Sequence, residues 1–460
     1  MHEALDEPVP GGSRWAYVFG SGLLFILVNQ IVTGICLAFY YVPSADHAHA
    51  TVGYMQKVVW GGRFIRGLHA YGSSLMIVLL LLHLAQTFLY GAYKNRRELL
   101  WMAGCVLFLL VLGMGFTGYL LPWDRRAYFA TAVGTNILAE VPFVGGFLKA
   151  FLRAGPDMGT LTLSRFYVLH VFVIPALIFV LIAAHVFFFR QAGAAGPPLR
   201  PEEREKLPTE PFFPMQVLKD FLCGMLLILG LFLLSALRPV TLGPIASPAD
   251  STYVPRPEWY YLPAFQWLKY WSGSGILVGI VVIPLLLFAL LLGIPFLDRS
   301  PERRPRRRLL PVLGLALVGV GVVSLGFQSA WEDRRDPAVH AKLAAQEAAE
   351  EEYNRAPFEP RELAPAGAAA VAAKLSPAAA KGALLFENEG CSGCHGASGH
   401  GAGGLIPLDG IGSQPAAALQ ALLRKPQGKM VEGGMEPSRL SDAELAQLVA
   451  FLREALKDKK

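Results

Sequence analysis

The chain has 460 residues, of which 53% are hydrophobic and 17% are charged, and its formal net charge at pH 7 is +6. This composition excludes an ordinary soluble globular protein and indicates a polytopic membrane protein with a soluble portion attached. The positive charge does not indicate nucleic-acid binding, because the basic residues cluster in loops where membrane topology explains them. No nucleic-acid partner is expected.

Seven apolar segments are long enough to cross a bilayer and predict an all-α transmembrane bundle. They lie near residues 18–42, 68–90, 102–121, 166–189, 216–237, 274–296 and 309–330. Basic residues concentrate at 94–97 and 303–308, and such loops face the cytoplasm. We therefore predict a multi-pass protein of the bacterial inner (plasma) membrane, with a cytoplasmic N-terminus and a periplasmic C-terminal domain.

Four histidines lie inside two of these segments. His69 and His83 are fourteen residues apart in the second span, and His170 and His185 are fifteen apart in the fourth. Either spacing separates the side chains by about 21 Å along a helix and returns them nearly to the same face. A single membrane histidine is more often a packing residue, but two pairs at matched depth indicate metal ligands. We predict two noncovalent b haems, held by His69 with His170 and by His83 with His185.

Glycines repeat the same interval. Gly20 and Gly34 precede the first histidine span, and Gly104 and Gly118 lie between the two histidine spans. Glycine leaves room where a porphyrin face would stand, although in membrane helices it also marks close helix packing. We predict that these four glycines face the haems.

Downstream of the spans, the composition shifts to Ala, Glu, Pro and Lys, which is typical of a linker that is part helical and part extended. A small all-α domain is expected from Ser376 onward, ending in a helix with a Ser441 cap and Glu444 three residues later. The predicted organisation is a four-helix dihaem domain (1–215), a three-helix domain (216–331), an Ala/Pro/Glu-rich linker (332–375) and the C-terminal domain (376–460).

The C-terminal domain contains the motif CxxCH. Cys391 and Cys394 with His395 form the signature of covalent c-type haem attachment. A zinc site would need a second cysteine pair, which the motif lacks. We expect a methionine thioether as the second axial ligand, either Met435 or Met430, and favour Met435 because it lies just before the final helix. Haem attachment of this kind takes place outside the cytoplasm, in agreement with the loop charges.

A proline-stiffened segment, Pro257 to Tyr260, lies between the fifth and sixth spans on the predicted outer side. A partly buried carboxylate such as Glu258 is suited to accept a proton from a bound hydroxyl. Taken alone, these four residues are also compatible with an aromatic belt at the membrane interface.

Taken together, residues 14–336 resemble the cytochrome b subunit of cytochrome bc complexes, in the b6-type arrangement joined to its subunit IV. The matching stretches are 65–69, 117–124, 164–170, 257–260 and 263–266, together with the 14/15 histidine spacing. The tail from Ser376 resembles a class I monohaem cytochrome c. A fusion of these pieces is similar to the quinol:cytochrome c reductases of some bacteria.

The resemblance implies a reaction and a set of partners. Quinol would be oxidised at an outer site, with one electron passing to a Rieske iron–sulfur protein on another polypeptide. The other electron would pass through the two b haems to an inner quinone site, coupled to proton translocation. The c haem would pass electrons to a periplasmic cytochrome c or terminal oxidase, and the complex would be a homodimer.

The resemblance also implies roles for individual residues. Glu258 would be the outer proton acceptor and Tyr260 would act beside it, with Pro257 and Phe265 in the outer quinol pocket. The inner quinone site would include Arg190, Lys219 and Asp220. Arg66 and Arg165 would hold haem propionates, a role that suits the guanidinium group.

One departure from the pattern concerns an additional covalent haem. Photosynthetic b6 proteins carry a cysteine near the start of the first span, where this chain has Val18. We therefore expect one covalent haem per chain. Two rival interpretations are a dihaem anchor subunit of a membrane dehydrogenase, which would not explain residues 257–260, and a haem-based membrane sensor or tethered electron carrier without quinone chemistry.

Overall fold

The computed structural model describes residues 6–155, 157–246, 250, 253–359, 372, 375–396, 399–400, 407–432, 435 and 437–457. The chain forms two compact units, residues 1–359 and 360–460, which are described separately. Two short strands, β1 (Pro8–Pro10) and β2 (Thr209–Pro211), pair antiparallel within the first unit. The rest of the regular secondary structure in the described residues is helical, which confirms the predicted all-α class.

Helices of the first unit, in chain order, are α1 (Val18–Ala38), α2 (Ala48–Lys57), α3 (Gly62–Leu89), α4 (Glu98–Tyr119), α5 (Arg125–Ala139), α6 (Gly145–Arg153), α7 (Thr160–Val168), α8 (Ile174–Ala192), α9 (Pro201–Glu205), α10 (Met215–Leu237), α11 (Leu262–Leu268), α12 (Ile283–Leu297), α13 (Leu309–Arg335) and α14 (Pro337–Arg355). Seven helical segments in the described part are long and apolar enough to span a membrane, as predicted. They contain α1, α3, α4, α7 with α8, α10, α12 and α13.

The fourth span is continuous but not uniformly α-helical. A π-helical turn at Leu169–Val173 joins α7 to α8, and Pro175 follows it. A π-turn takes up one more residue than an α-turn. The fifteen-residue interval between His170 and His185 therefore covers nearly the same rise as the fourteen-residue interval on α3. A second π-turn, Val278–Val282, precedes α12.

The core of the first unit joins α1, α3 and α10 through apolar side chains. Ile26, Leu68, Met76, Leu79 and Leu231 form one buried cluster there. Because these contacts lie between the spans, they fix the spacing of the helices around the histidines of α3.

A buried ionic group joins the loop after α3 to the segment between α12 and α13. Asp298 accepts hydrogen bonds from Lys94 (2.7 Å), Tyr93 (2.6 Å) and Arg308 (2.8 Å). Burial alone would raise the pKa of Asp298, but these hydrogen bonds together hold it below its ordinary value. The group connects the four-helix part of the unit to its last two spans.

The predicted linker begins with regular helix. Span α13 continues to Arg335, and α14 (Pro337–Arg355) belongs to the first unit, against which it packs. Alanine and glutamate favour helix, and Asp336 caps α14 by accepting from the backbone of Ala338 and Val339.

The second unit consists of short helices around one core. They are α15 (Pro377–Asn388), α16 (Cys391–His395), α17 (Ala416–Arg424), α18 (Lys429–Glu432) and α19 (Asp442–Ala455). The ring centroids of Phe386 and Phe451 are 5.1 Å apart in the contact between α15 and α19. The predicted capping box at Ser441 and Glu444 is present at the start of α19.

Candidate functional site

A cavity of about 1420 Å³ runs through the first unit between α1, α3, α4 and α8. All four membrane histidines line it. Glu258 and Arg190 both line it and lie at opposite ends, because the Glu258 segment contacts Ser74, five residues from His69, whereas Arg190 is in the last turn of α8, beyond His185. We call these the Glu258 end and the Arg190 end. The volume exceeds the 300–1,000 Å³ range of ordinary small-ligand pockets, so the cavity has room for more than one group.

At the Glu258 end, the rings of His69 and His170 face each other. Their centroids are 6.2 Å apart and their planes are inclined at 76°. Two metal–imidazole bonds of about 2 Å, together with the two ring radii, add up to about the same separation. The two imidazoles are therefore spaced to coordinate one metal ion from opposite sides.

Hydrogen bonds orient both of these rings. His69 Nδ1 lies 3.0 Å from Thr33 Oγ1, and His170 Nδ1 lies 3.1 Å from the Met114 carbonyl. With Nδ1 engaged, Nε2 is the nitrogen that remains to bind metal, which is the usual arrangement for a histidine ligand.

The second pair, His83 and His185, lines the same cavity toward the Arg190 end. His83 Nδ1 is buried and has no hydrogen-bond partner in the part of the chain that the structure describes. Burying an unpaired polar atom is costly, and coordination of the same ring to a metal compensates part of that cost.

Each predicted haem-facing glycine lies against one predicted ligand. A Cβ atom built on the glycine would meet the imidazole at the following distances: Gly20 to His83 Cε1, 3.5 Å; Gly34 to His69 Cε1, 3.2 Å; Gly104 to His185 Cε1, 3.2 Å; Gly118 to His170 Nδ1, 2.9 Å, and Nε2, 3.0 Å. A side chain at these positions would occupy the space beside the ligand. The repeated glycine interval thus corresponds to the two histidine pairs.

Among the described residues, no group of three or more His, Cys, Asp or Glu side chains could enclose a metal ion. Each site offers two imidazoles that line the cavity, and each imidazole lies beside a glycine. Such a donor set suits a metal that brings four planar ligands of its own, as haem iron does. The residues present therefore fit two bis-histidine haems.

The segment after Pro257 docks on the two helices that flank the first histidine pair. Trp259 Nε1 donates to Ser74 on α3 (3.3 Å), and the Tyr261 hydroxyl donates to the Leu112 carbonyl on α4 (2.6 Å). Glu258 and Tyr260, from the same segment, line the cavity. The carboxylate is thus brought to the same end as His69 and His170.

The charge of Glu258 is governed by its surroundings. Burial raises its pKa most, the Arg126 guanidinium lowers it, and the Asp124 carboxylate raises it, and the pKa stays above the ordinary value. Asp124 and Arg126 also line the cavity, and neither is among the site residues predicted from the sequence. Their position could have indicated them: Asp124 is the last residue of the stretch 117–124, which carries part of the resemblance, and Arg126 lies two residues later. Asp124 also caps α5 by accepting from Ala127 N (2.9 Å).

The two arginines predicted to hold propionates lie in different places. Arg66 lines the cavity and donates to Gln56 and to the carbonyls of Val240 (3.2 Å) and Thr241 (3.1 Å). Arg165 is not among the cavity-lining residues, because it turns toward α6, donates to the Phe151 carbonyl and lies over the Phe151 ring.

The remaining residues predicted for the outer pocket flank the cavity without lining it. The Phe265 ring lies under Arg256 (5.3 Å) and Lys269 (5.7 Å). Pro257 follows Arg256, whose guanidinium pairs with Asp333 near the end of α13. These contacts anchor both ends of the segment that presents Glu258.

At the Arg190 end, two of the three residues predicted for the inner quinone site line the cavity and one does not. Arg190 pairs with Glu7 (3.0 Å), and Asp220 accepts from Gln216 (2.8 Å). These four residues line the cavity, whereas Lys219 donates to the carbonyl (2.8 Å) and hydroxyl (2.9 Å) of Ser13 and is not a lining residue. The N-terminal segment that pairs as β1 brings Glu7 to this end, and no local pattern around Glu7 indicates that.

In the second unit, α16 presents the CxxCH residues together. Cys391 packs against the domain core, Cys394 is exposed, and neither forms a disulfide. The His395 ring lies 6.4 Å from that of Phe386. Met435 packs against the same core as Phe386 and Cys391, while Met430 lies on α18 and its carbonyl accepts a backbone hydrogen bond from Met435 (2.9 Å).

Comparison with known proteins gives consistent matches along the chain. The family model described as cytochrome b/b6/petB matches residues 4–193, cytochrome b(C-terminal)/b6/petD matches residues 246–345, and cytochrome c matches residues 379–455. The cytochrome bc complex cytochrome b subunit of Chlorobaculum thiosulfatiphilum is 35% identical over 314 residues, which are 68% of this chain and 73% of that protein.

Two further relatives are informative. The menaquinol:cytochrome c reductase cytochrome b subunit of Bacillus subtilis is 45% identical over 199 residues, which are 43% of this chain and 89% of that protein. A solved hyperthermophilic respiratory Complex III chain superposes with a TM-score of 0.60 at 26% identity, covering 77% of this chain and 95% of its own length.

Proposed function

The chain belongs to the cytochrome b subunits of cytochrome bc complexes, the quinol–cytochrome c reductases, and we propose that it carries electrons through two b haems and one c haem while oxidising quinol at the Glu258 end. The observation that carries this proposal is the single cavity lined by two imidazole pairs, with a buried carboxylate at one end and an arginine at the other.

We assign His69 and His170 to one b haem, and His83 and His185 to the other. When bound, the haems supply one-electron transfer by cycling between ferrous and ferric iron. The facing rings at 6.2 Å, the Nδ1 contacts and the flanking glycines support this assignment. If the two imidazoles of each pair hold one iron, the site would transfer electrons and would leave no open position for oxygen.

Glu258 is assigned as the proton acceptor for quinol oxidation, with Tyr260 beside it. Its raised pKa brings the carboxylate closer to the working pH, where a general base is most effective. Two charges of opposite sign, Asp124 and Arg126, adjust that pKa from the same cavity wall. Arg66, which lines the cavity at this end, is the arginine that we retain for a haem propionate.

Arg190 and Asp220 are assigned to quinone reduction at the opposite end. Both line the cavity, and the pair offers a cation and a carboxylate to a reduced quinone. We do not assign Lys219 a direct role there, since Ser13 engages its ammonium.

In the second unit, Cys391 and Cys394 would form the thioether bonds, and His395 would be the proximal ligand. The packing of Met435 against the domain core beside Phe386 supports Met435 over Met430 as the sixth ligand. Attachment of this haem requires the periplasmic side, so the Glu258 end is the outer end and the basic loop at 303–308 is cytoplasmic.

The complex needs further subunits. We propose a Rieske iron–sulfur protein on a separate polypeptide, a periplasmic cytochrome c or terminal oxidase as acceptor, and a homodimeric assembly. Proton release at the outer end and uptake at the inner end would couple the electron crossing to proton translocation, against about 2.3 kcal/mol per charge per 100 mV.

The test uses the purified complex. Glu258→Gln should slow quinol-dependent cytochrome c reduction while both b-haem difference spectra remain, because the amide cannot accept the proton. Glu140→Gln, the same substitution at an exposed carboxylate that does not line the cavity, serves as the control and should retain activity. Undiminished turnover in Glu258→Gln would refute the assignment. Co-purification of a molybdenum or flavin subunit in place of a Rieske protein would favour a dehydrogenase anchor instead.

A truncation separates the two units. Ending the chain after residue 359 keeps α14 with the first unit. We expect the b haems to stay reducible by quinol and transfer to the external acceptor to cease. Normal transfer in this truncated chain would refute the role of the c domain.

A further inference from the structure

One face of helix α14 carries a polar stripe that contacts the rest of the first unit. Gln346, Glu350 and Asn354 follow one another at intervals of four residues, so they lie on one face of the helix. The proposed function gives none of them a role. All three contact residues near the Glu258 end of the cavity.

The two amides of the stripe fix the helix on neighbouring backbone. Gln346 accepts from Val254 N (2.8 Å) and donates to the Val254 carbonyl (3.3 Å). Asn354 accepts from Leu242 N (3.1 Å) and donates to the Leu242 carbonyl (2.9 Å). Because each amide satisfies both polar groups of one residue, α14 is held in one register on either side of Glu350.

Further contacts fasten the end of the helix. Lys57 donates to the carbonyls of Tyr353 and Ala356, and its ammonium lies 3.9 Å from the Tyr353 ring centroid. The His49 ring is 5.2 Å from the same tyrosine ring. The helix is therefore docked along its second half, which defines where Glu350 lies.

Glu350 meets Arg126 with both carboxylate oxygens. Arg126 Nη2 donates to Oε1 (2.9 Å) and to Oε2 (2.8 Å), and Glu350 lines the cavity together with Arg126 and Glu258. Burial alone would lower the pKa of Arg126, but the carboxylates around it, Glu350 foremost, hold it above the ordinary value. One guanidinium thus binds the carboxylate of the helix and also acts electrostatically on the carboxylate proposed to accept the proton.

Within the part of the chain that the structure describes, the charged and titratable groups acting on these three residues come from several elements. Glu258 is faced by Arg126, Asp124, Tyr119 and Tyr260; Arg126 is faced by Glu258, Asp124, Tyr119, Tyr253, Arg66 and Glu350; Glu350 is faced by Arg126 and Tyr253. Arg126 is the cation that acts on Glu258. The carboxylate that pairs with Arg126 therefore determines how strongly the positive charge of Arg126 acts on Glu258.

We propose that Glu350 is a positioning residue for quinol oxidation: by engaging Arg126 with both oxygens, it keeps that guanidinium from pairing with Glu258 and leaves the Glu258 carboxylate free to take a proton. This inference rests on the proposed function of Glu258. It gives α14 a part in the reaction of the first unit, in addition to leading the chain toward the second unit.

The test is the pH profile of quinol oxidation by the intact complex. Turnover needs the ionised form of Glu258, so it rises with pH through the Glu258 pKa. In Glu350→Gln the uncompensated charge of Arg126 acts on Glu258, and the acidic limb should move to lower pH by about one unit. The maximal rate should fall about threefold, because a weaker base accepts the proton less readily. The KM for quinol and both b-haem spectra should be unchanged.

Matched variants separate positioning from folding. Glu350→Asp keeps the charge and should restore the wild-type limb, and Glu352→Gln, on the same helix but outside the polar stripe, should leave the profile unchanged. In an Arg126→Gln background, adding Glu350→Gln should shift nothing further.

Three results would overturn the proposal. The acidic limb of the pH profile could coincide in Glu350→Gln and the wild type, or it could shift further when Glu350→Gln is added to the Arg126→Gln background. Loss of b haem in Glu350→Gln would also overturn it. If Glu258→Gln itself leaves turnover intact, the proposed function fails instead. A slowed Glu258→Gln enzyme with an unmoved Glu350→Gln limb contradicts only the role of Glu350.

Discussion

Gly118 allows the sharpest prediction about the membrane sites. A Cβ atom at this position would come within 2.9 Å of His170 Nδ1 and 3.0 Å of Nε2, and closer still to Cε1. The ring cannot move away freely, because the Met114 carbonyl (3.1 Å) and Thr117 hydroxyl (3.3 Å) hold its Nδ1. Forcing a methyl group into such a position costs about 1–3 kcal/mol. At 1.4 kcal/mol per factor of ten, Gly118→Ala should weaken haem binding at the first pair roughly 5- to 150-fold.

The assay is the ratio of noncovalent to covalent haem in the purified complex. The proposed c haem would be attached by thioether bonds, so it would serve as an internal standard for the amount of protein. The wild type should give two b haems per c haem, and Gly118→Ala should approach one. Gly20→Ala is the matched control, since its Cβ would be 3.5 Å from His83 Cε1, an ordinary van der Waals distance.

Equal ratios in both variants, with unchanged b-haem spectra, would refute the reasoning. That result would mean that His170 is not held where the Gly118 Cβ would meet it. Gly34→Ala and Gly104→Ala, at 3.2 Å from their histidines, should fall between the two extremes.

Other substitutions test separate parts of the chain. Asp298→Asn leaves buried Lys94 and Arg308 without their carboxylate and should destabilise the complex by about 3 kcal/mol, measured as thermal unfolding in detergent at pH 7. The folded-state pKa of Asp298 lies below its ordinary value, so its contribution to the free energy of unfolding is complete above about pH 4 and disappears as the pH falls through the folded pKa. The difference in stability between wild type and Asp298→Asn should therefore narrow in acid. A difference that does not depend on pH would contradict this reasoning. Cys391→Ser should abolish haem staining on denaturing gels or reduce it to a single labile thioether adduct, and normal staining would exclude this cysteine. Ser441→Ala removes a helix cap and should lower the unfolding free energy of the second unit by about 1 kcal/mol, observed by the c-haem absorbance in denaturant.

The membrane sites are predictable because helix geometry converts sequence intervals into depth. Two histidines per span at nearly equal intervals, with glycines repeating the same interval, define both the height and the face of each side chain. The same logic gives the number of spans, since span length depends on composition alone.

The electrostatics at the two ends cannot be predicted in this way. Arg126 meets Glu350, 224 residues away, and Arg190 meets Glu7 through a segment paired as β1. No periodic pattern connects such partners. For Arg165 the resemblance implies a propionate contact, yet the local fold directs its guanidinium to the Phe151 carbonyl.

Helix α14 shows why composition alone misleads. Its alanines and glutamates are typical of a solvated linker, and the sequence predicts the helix only as part of one. What docks it is a set of amide side chains that satisfy backbone groups on Val254 and Leu242. Such pairing depends on where two distant loops happen to run, and a linear pattern does not contain that information.

The π-turn in the fourth span has a consequence for reading related sequences. Its extra residue widens the helix locally and does not lengthen it. The number of residues between His170 and His185 is therefore an unreliable measure of their separation along the span. A homologue with one residue fewer in this span, and an ordinary α-turn in place of the π-turn, would keep nearly the same separation in depth between its two histidines. A single-residue insertion or deletion near His170 can therefore be absorbed within the span with little change in the distance between the two histidines.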